Sequence, residues 1–142
     1  MRVRDFRELC AEKGLAVTHQ RQVIWDILRS MEGHPSPEAV YDRVRSEIPS
    51  ISLATVYKNV RTFTEHGLLA EVSLHHGPAR LETNMEPHHH MVCVECRSIV
   101  DIPDEAVEPV RLRKSAPPEF RVHRYSVEIH GLCGRCARKS QP

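Results

Sequence analysis

The stretch Ser52-Leu-Ala-Thr-Val-Tyr-Lys-Asn-Val-Arg61 reads as the opening of a helix. Its serine can accept the orphan N–H groups of a first turn, and Val56, Val60 and Phe63 recur at the spacing of one buried face. Gly67 is placed to end a helix running from Leu53 to His66. That geometry turns Thr55, Lys58, Asn59 and Arg61 outward, a mixture of phosphate-positioning and base-reading groups, and Tyr57 adds an amphipathic contact. Just upstream, Ser36-Pro37 opens another helix with Val40, Val44 and Ile48 on one face, and Pro49 closes it. Two helices joined by a short turn form a helix-turn-helix. Beyond Gly67 the apolar period shortens to that of strands. Leu69 to Leu74 and Ala79 to Thr83 flank the turn His75-His-Gly-Pro78, which makes a hairpin, or wing. A polar face on an ordinary helical bundle is the competing reading of this pattern.

Working outward, Asp5 to Lys13 carries Phe6, Leu9 and Cys10 at helical spacing before Gly14, so Cys10 is expected in the core. Thr18 caps a second helix striped with Val23, Ile24, Ile27, Leu28 and Met31, ending near Gly33. Downstream, strands are expected at Met91 to Ile102 and Phe120 to Ile129, with a helical stretch between them at Asp104 to Lys114. In the last strand the apolar parity shifts from Phe120 and Val122 to Tyr125, Val127 and Ile129, which suggests a bulge or burial on both faces. The tail Ala137 to Pro142 is polar and reads as loose. The expected fold class is α+β: a winged helix-turn-helix domain at 1–83, a hinge at 84–87 and a small α/β domain at 88–142.

A chain of 142 residues, 40% hydrophobic and 27% charged, is that of a folded protein and too short for a large barrel enzyme. No apolar run approaches the roughly 18 residues of a membrane span, and the charged start does not suit a signal peptide, so the expected setting is cytoplasmic with no membrane partner. With 20 Lys+Arg against 19 Asp+Glu the net charge is only +1, so charge placement must decide on a nucleic-acid partner. Ten histidines and five cysteines point to metal, because thiols in a reducing compartment more often ligate ions than form disulfides.

Cys93-Val-Glu-Cys96 and Cys133-Gly-Arg-Cys136 are two C-x-x-C knuckles. Four thiolates suit a closed tetrahedral site for Zn²⁺, and the long gap between the pairs would tie the start of the second domain to its end. Two disulfides, a redox pair or unrelated buried cysteines are the alternatives. His88-His89-His90 precedes the first knuckle, and strand alternation puts His88 and His90 on one face. Asp101 can return beside them, and Glu82 lies just before the hinge. A solvated histidine cluster with surface carboxylates fits the same spacing, and His34 alone reads as a loop residue.

Thr18-His-Gln-Arg21, His34-Pro-Ser-Pro-Glu-Ala-Val-Tyr41, Ser52-Leu-Ala-Thr-Val-Tyr57, His88-His-His90 and the two cysteine pairs stand in one order from about Phe6 to Cys136. In that order the chain resembles the ferric uptake regulators. The resemblance implies a repressor that binds palindromic operator DNA as a metal-loaded homodimer. By position it makes Cys93, Cys96, Cys133 and Cys136 structural zinc ligands, and His34, Glu82, His88, His90 and Asp101 a regulatory site. It places the recognition helix at Ser52 to Arg61, with Ser52, Thr55, Tyr57, Lys58, Asn59 and Arg61 as DNA contacts. Three imidazoles and two carboxylates suit Fe²⁺ or Mn²⁺. A further site of many members has Pro87 and Tyr125 in place of two histidines here, leaving His89 and Glu108, with His123 as a substitute. The wording, including Ile99-Val-Asp101, is most similar to the peroxide-sensing branch, whereas Glu82 is what iron-sensing members carry in place of that branch's aspartate. The competing functions are a zinc- or manganese-sensing member and, from another class, a small metal-dependent enzyme.

Overall fold

The computed structural model describes residues 5–72, 79–114 and 117–140, in two compact units, Met1–Met85 and Glu86–Pro142. The first unit contains α1 (Phe6–Lys13), α2 (His19–Ser30), α3 (Pro37–Glu47) and α4 (Leu53–Glu65), followed by β1 (Ala70–Val72) and β2 (Arg80–Glu82). Each helix starts on a side chain that satisfies one of its orphan donors. Asp5, Thr18, Ser36 and Ser52 accept from the backbone N–H of Arg7, Arg21, Ala39 and Thr55 respectively. Gly14 ends α1 with a φ of 71°, a left-handed turn that glycine adopts without a Cβ clash.

The apolar stripes of α2, α3 and α4 meet in one core with Ile24, Val40, Val44, Val56 and Phe63 wholly or nearly wholly buried, and Cys10 joins them. Phe6, Trp25 and Phe63 pack with ring centroids 5.6 to 5.9 Å apart. Burying one such side chain contributes roughly 1.5–3 kcal/mol, so this trio anchors the helices. β1 and β2 pair antiparallel with Glu71 opposite Leu81, and Leu81 seals the core at 2% exposure. β2 is shorter than the strand expected over Ala79 to Thr83, β1 starts at Ala70 where Leu69 was expected, and the stretch 73–78, including the turn at His75–Pro78, lies outside the described residues.

The second unit is a three-stranded sheet of order β4-β3-β5, with β3 at His88–Cys93, β4 at Ile99–Pro103 and β5 at Glu128–Gly131. β3 runs antiparallel to β4 and parallel to β5. Where one strand was expected over Met91 to Ile102, two strands flank a turn. The Arg97 N–H donates to the Cys93 carbonyl, the Cys93 N–H donates to the Ser98 carbonyl, and Arg97 takes a φ of 63°. A C-x-x-C pair must curl to bring two sulfurs to one point, and that curl divides the strand.

Three further expectations are corrected. Asp104–Ala106 forms a single 3₁₀ turn in place of the helix expected to Lys114, and Val107 is already extended. Pro109 is the cause: it has no N–H to donate and disfavours helical geometry at Glu108. The last strand spans only Glu128–Gly131 with every residue exposed, so the parity shift reflects neither a bulge nor two-sided burial. The expected loose tail instead contributes to α5, Gly134–Lys139, which Cys133 opens.

Candidate metal centres and nucleic-acid interface

In the second unit the β3–β4 turn carries Cys93 and Cys96, and the start of α5 carries Cys133 and Cys136. All four sulfurs lie within 4.8 Å of one another. None is in a disulfide. The Cys133 N–H donates to Cys93 Sγ at 3.4 Å, and Cys96 Sγ and Cys133 Sγ are 3.8 Å apart. That backbone N–H holds the Cys93 thiol below its ordinary pKa. The Ser98 hydroxyl, 3.2 Å from Cys96 Sγ, brings Cys96 down to about 6 by stabilising the thiolate. Cys136 is pushed up to about 12, chiefly because it donates to Cys133. Four convergent sulfurs sharing protons in this way fit a structural zinc site, since a dication replaces those protons and relieves the crowding of thiolates.

In the first unit, His34 and Glu82 are buried at 5% and 6% exposure, and His34 Nε2 lies 2.5 Å from Glu82 Oε2. β2 positions both. The Leu81 N–H donates to the Pro35 carbonyl at 2.8 Å and Arg80 Nε to the His34 carbonyl at 2.5 Å, so the chain at 34–35 lies along β2. Glu82 Oε1 accepts the Asn84 N–H at 3.2 Å. In the second unit, His88 and His90 share one face of β3 with ring centroids 4.7 Å apart, and His90 sits opposite Asp101 in the β3–β4 register. Asp101 Oδ1 lies 3.4 Å from His90 Nε2 and 3.8 Å from His88 Nε2. Each unit thus gathers imidazole nitrogens beside a carboxylate, a donor set that fits divalent first-row metals.

On α4, Tyr57, Lys58 and Arg61 are exposed along with Ala54, a face at i, i+3, i+4 and i+7. Ser52 caps the helix and its Oγ lies 2.9 Å from Thr55 Oγ1, leaving Thr55 half-buried. Asn59 departs from the outward reading. It is 8% exposed and its amide donates to the Thr55 carbonyl at 2.9 Å, because its position on the helix adjoins the stripe of Val56, Val60 and Phe63. The Tyr57 hydroxyl donates to the Glu38 carboxylate on α3.

Comparison with known proteins agrees with this arrangement along nearly the whole chain. The sequence profile described as "Ferric uptake regulator family" matches residues 12–130. The "Peroxide operon regulator" of Bacillus subtilis is 30% identical over 137 residues, covering 96% of this chain and 94% of that protein. This protein belongs to the ferric uptake regulator family. Among solved structures, the ferric uptake regulator of Pseudomonas aeruginosa with manganese superposes with a TM-score of 0.71 at 27% identity, covering 90% of this chain and 97% of that one. A zinc-bound manganese uptake regulator gives 0.64 at 27% identity, covering 89% and 97%. The relatives are regulators, so the chain is a regulator and not a metal-dependent enzyme. Among the described residues no helix is long and apolar enough to cross a membrane.

Within the ferric uptake regulator framework, His89 has a role that the histidine triplet did not reveal. It points to the opposite side of β3 from His88 and His90 and is 1% exposed. Its Nδ1 accepts the Val127 N–H at 2.9 Å, which leaves the proton on Nε2, 2.8 Å from Asp104 Oδ1. Tyr125 stacks on the ring at 5.7 Å. With both nitrogens so engaged, His89 acts as a structural tie between β3, the 3₁₀ turn and the approach to β5. Arg80 and Ser98 also escaped the sequence reading. Arg80 shares strand parity with Glu82 and Ser98 follows Cys96 by two, and those spacings were the available signals.

Proposed function

We propose that this family member is a homodimeric, metal-dependent repressor that binds palindromic double-stranded operator DNA when His34, Glu82, His88, His90 and Asp101 together hold Fe²⁺ or Mn²⁺. The observation that carries this reading is that each unit separately prepares half of the donor set, the buried His34–Glu82 pair on one and the His88–His90–Asp101 trio on the other. Three neutral imidazoles and two carboxylates nearly balance a dication, and the bound ion supplies charge that the separate halves lack. Residues 1–83 form the DNA-binding part, 84–87 the hinge and 88–142 the dimerising part, and all act in the cytoplasm. Ligation by both parts favours one arrangement of the hinge, so metal and operator affinities are reciprocally coupled. Zn²⁺ at Cys93, Cys96, Cys133 and Cys136 is structural, which the zinc-bound relative supports.

Two features support the partners. Val100, Met91 and Ile129 lie in one row across the three strands and are 57%, 48% and 41% exposed, an apolar stripe suited to a second copy. Tyr57, Lys58 and Arg61 stand on the open face of the capped second helix of the helix-turn-helix. Ser52 and Thr55 fix its N-terminus, where backbone N–H groups favour phosphate.

A second reading, peroxide sensing, is favoured by the likeness to the Bacillus subtilis peroxide operon regulator. Here Glu82 occupies the position at issue and holds His34 directly, which favours response to iron supply.

Selection of bound duplexes from a random pool, run anaerobically with Mn²⁺, Fe²⁺, Zn²⁺ or chelator, tests the proposal. A two-fold symmetric sequence enriched with Mn²⁺ or Fe²⁺ and absent with chelator is expected. Equal enrichment with chelator, or enrichment of no sequence, would refute it.

A further inference from the structure

We propose that Glu38, on α3, is a specificity-determining residue that positions Tyr57 for reading DNA. It engages the Tyr57 hydroxyl so that the ring, and not the hydroxyl, meets the base edges. This rests on α4 being the reading helix.

Glu38 lies in the first turn of α3, behind the Ser36 cap and Pro37. Its carboxylate accepts the hydroxyl of Tyr57, a residue 19 positions later and 44% exposed on the open face of α4. An exposed tyrosine otherwise samples several rotamers, and fixing it before binding removes that entropic cost. Once its proton is donated to a carboxylate, the hydroxyl has no donor left for a base or phosphate. What it presents is an apolar ring edge beside Ala54, the chemistry that recognises a thymine methyl in the major groove. The bond also lowers the Glu38 pKa and raises that of Tyr57, so the pair keeps these protonation states at neutral pH. Glu38 brings a negative charge to a face whose other exposed side chains include Lys58 and Arg61. It therefore opposes phosphate approach on every duplex alike, while its hold on Tyr57 matters only where the ring finds its base.

These two effects separate by experiment. The probe is the duplex enriched by the native Mn²⁺-loaded protein, compared with a scrambled duplex of equal length, and the readout is the ratio of the two affinities. For Glu38→Gln, which keeps an acceptor for the hydroxyl but loses the charge, both affinities should rise together, with their ratio held within about twofold. For Glu38→Ala the ratio should fall about tenfold, the scale of one lost base contact. Tyr57→Phe should lower it by a similar factor, and Glu38→Ala/Tyr57→Phe by no more than either alone, because both single changes break one bond. An unchanged ratio in Glu38→Ala would overturn the proposal. So would losses that multiply in the double variant, which would mean that the hydroxyl contacts DNA on its own. Circular dichroism and melting of each variant check folding, and Tyr57→Phe with Glu38→Gln decides the matter should Glu38→Ala not fold. Enrichment of no duplex by the native protein would defeat the proposed function instead, a result distinct from these.

Discussion

His89→Ala should cost the second unit about 3–5 kcal/mol, worked from three losses. The Nε2–H bond to Asp104 has a charged acceptor, but the Asp104 side chain is 51% exposed, so the low end of about 1.5 kcal/mol applies. The Val127 N–H loses its acceptor in a part-buried place, which costs about 1–2 kcal/mol. The stack on Tyr125 and the buried ring contribute roughly another 1 kcal/mol. This is a large share for a small unit whose buried side chains, among the described residues, are otherwise Val92, Cys93 and Cys136. Tryptophan fluorescence cannot report it, because the only tryptophan, Trp25, belongs to the first unit. Hydrogen exchange of the β3 amides, in zinc-loaded protein, is the suitable assay, and protection should fall on the order of 10²- to 10⁴-fold. His89→Asn can keep the Val127 bond and His89→Gln the Asp104 bond, so each should recover part of the loss. A cost below about 1 kcal/mol for His89→Ala would refute the reasoning, since it would mean that neither ring nitrogen holds the sheet.

Cys133→Ser should release the zinc and expose the β3 amides to exchange, because metal-binding energy in so small a unit is folding energy; full metal retention by mass spectrometry would contradict this. Where the second unit keeps its fold after chelation, iodoacetamide should alkylate Cys96 before Cys136, and loss of β3 protection should abolish that order. The sign follows from the shifts. The depressed Cys96 contributes stability above pH 9.0 that is lost as pH falls through about 6, and the raised Cys136 contributes stability below pH 9.0 that is lost as pH rises towards 12. Glu82→Asp shortens the side chain by one methylene, so it cannot keep both the His34 contact and the Asn84 N–H. Peroxide treatment of iron-loaded protein should then add oxygen to His34 or His88 faster in Glu82→Asp than in native protein, read by peptide mass spectrometry. Equally rapid addition in the native protein would establish peroxide sensing despite Glu82.

Much of this molecule follows from interactions a few residues long. The caps at Asp5, Thr18, Ser36 and Ser52 and the apolar stripes behind them are local, and so the four helices of the first unit were legible. The two C-x-x-C knuckles were legible for the same reason, since a tight turn alone brings each sulfur pair together. The absence of a helix beyond Ala106 was legible too, at Pro109, which has no N–H to donate and disfavours helical geometry at the residue before it. Other features depend on where the chain returns. His34 meets Glu82 across 48 residues only because the stretch at 34–35 lies along β2, and no periodicity near His34 encodes that. Asn59 is polar by composition yet buried by its place on α4. The triplet His88-His89-His90 is one chemical type, and the sheet divides it into two rings that face Asp101 and one structural ring. Sequence by itself determined the elements and the donor types, because propensity, capping and ligand chemistry act over short range. Tertiary structure decided which donors face one another and which polar groups are consumed in holding the fold, because burial and hydrogen-bond satisfaction depend on neighbours distant in the chain.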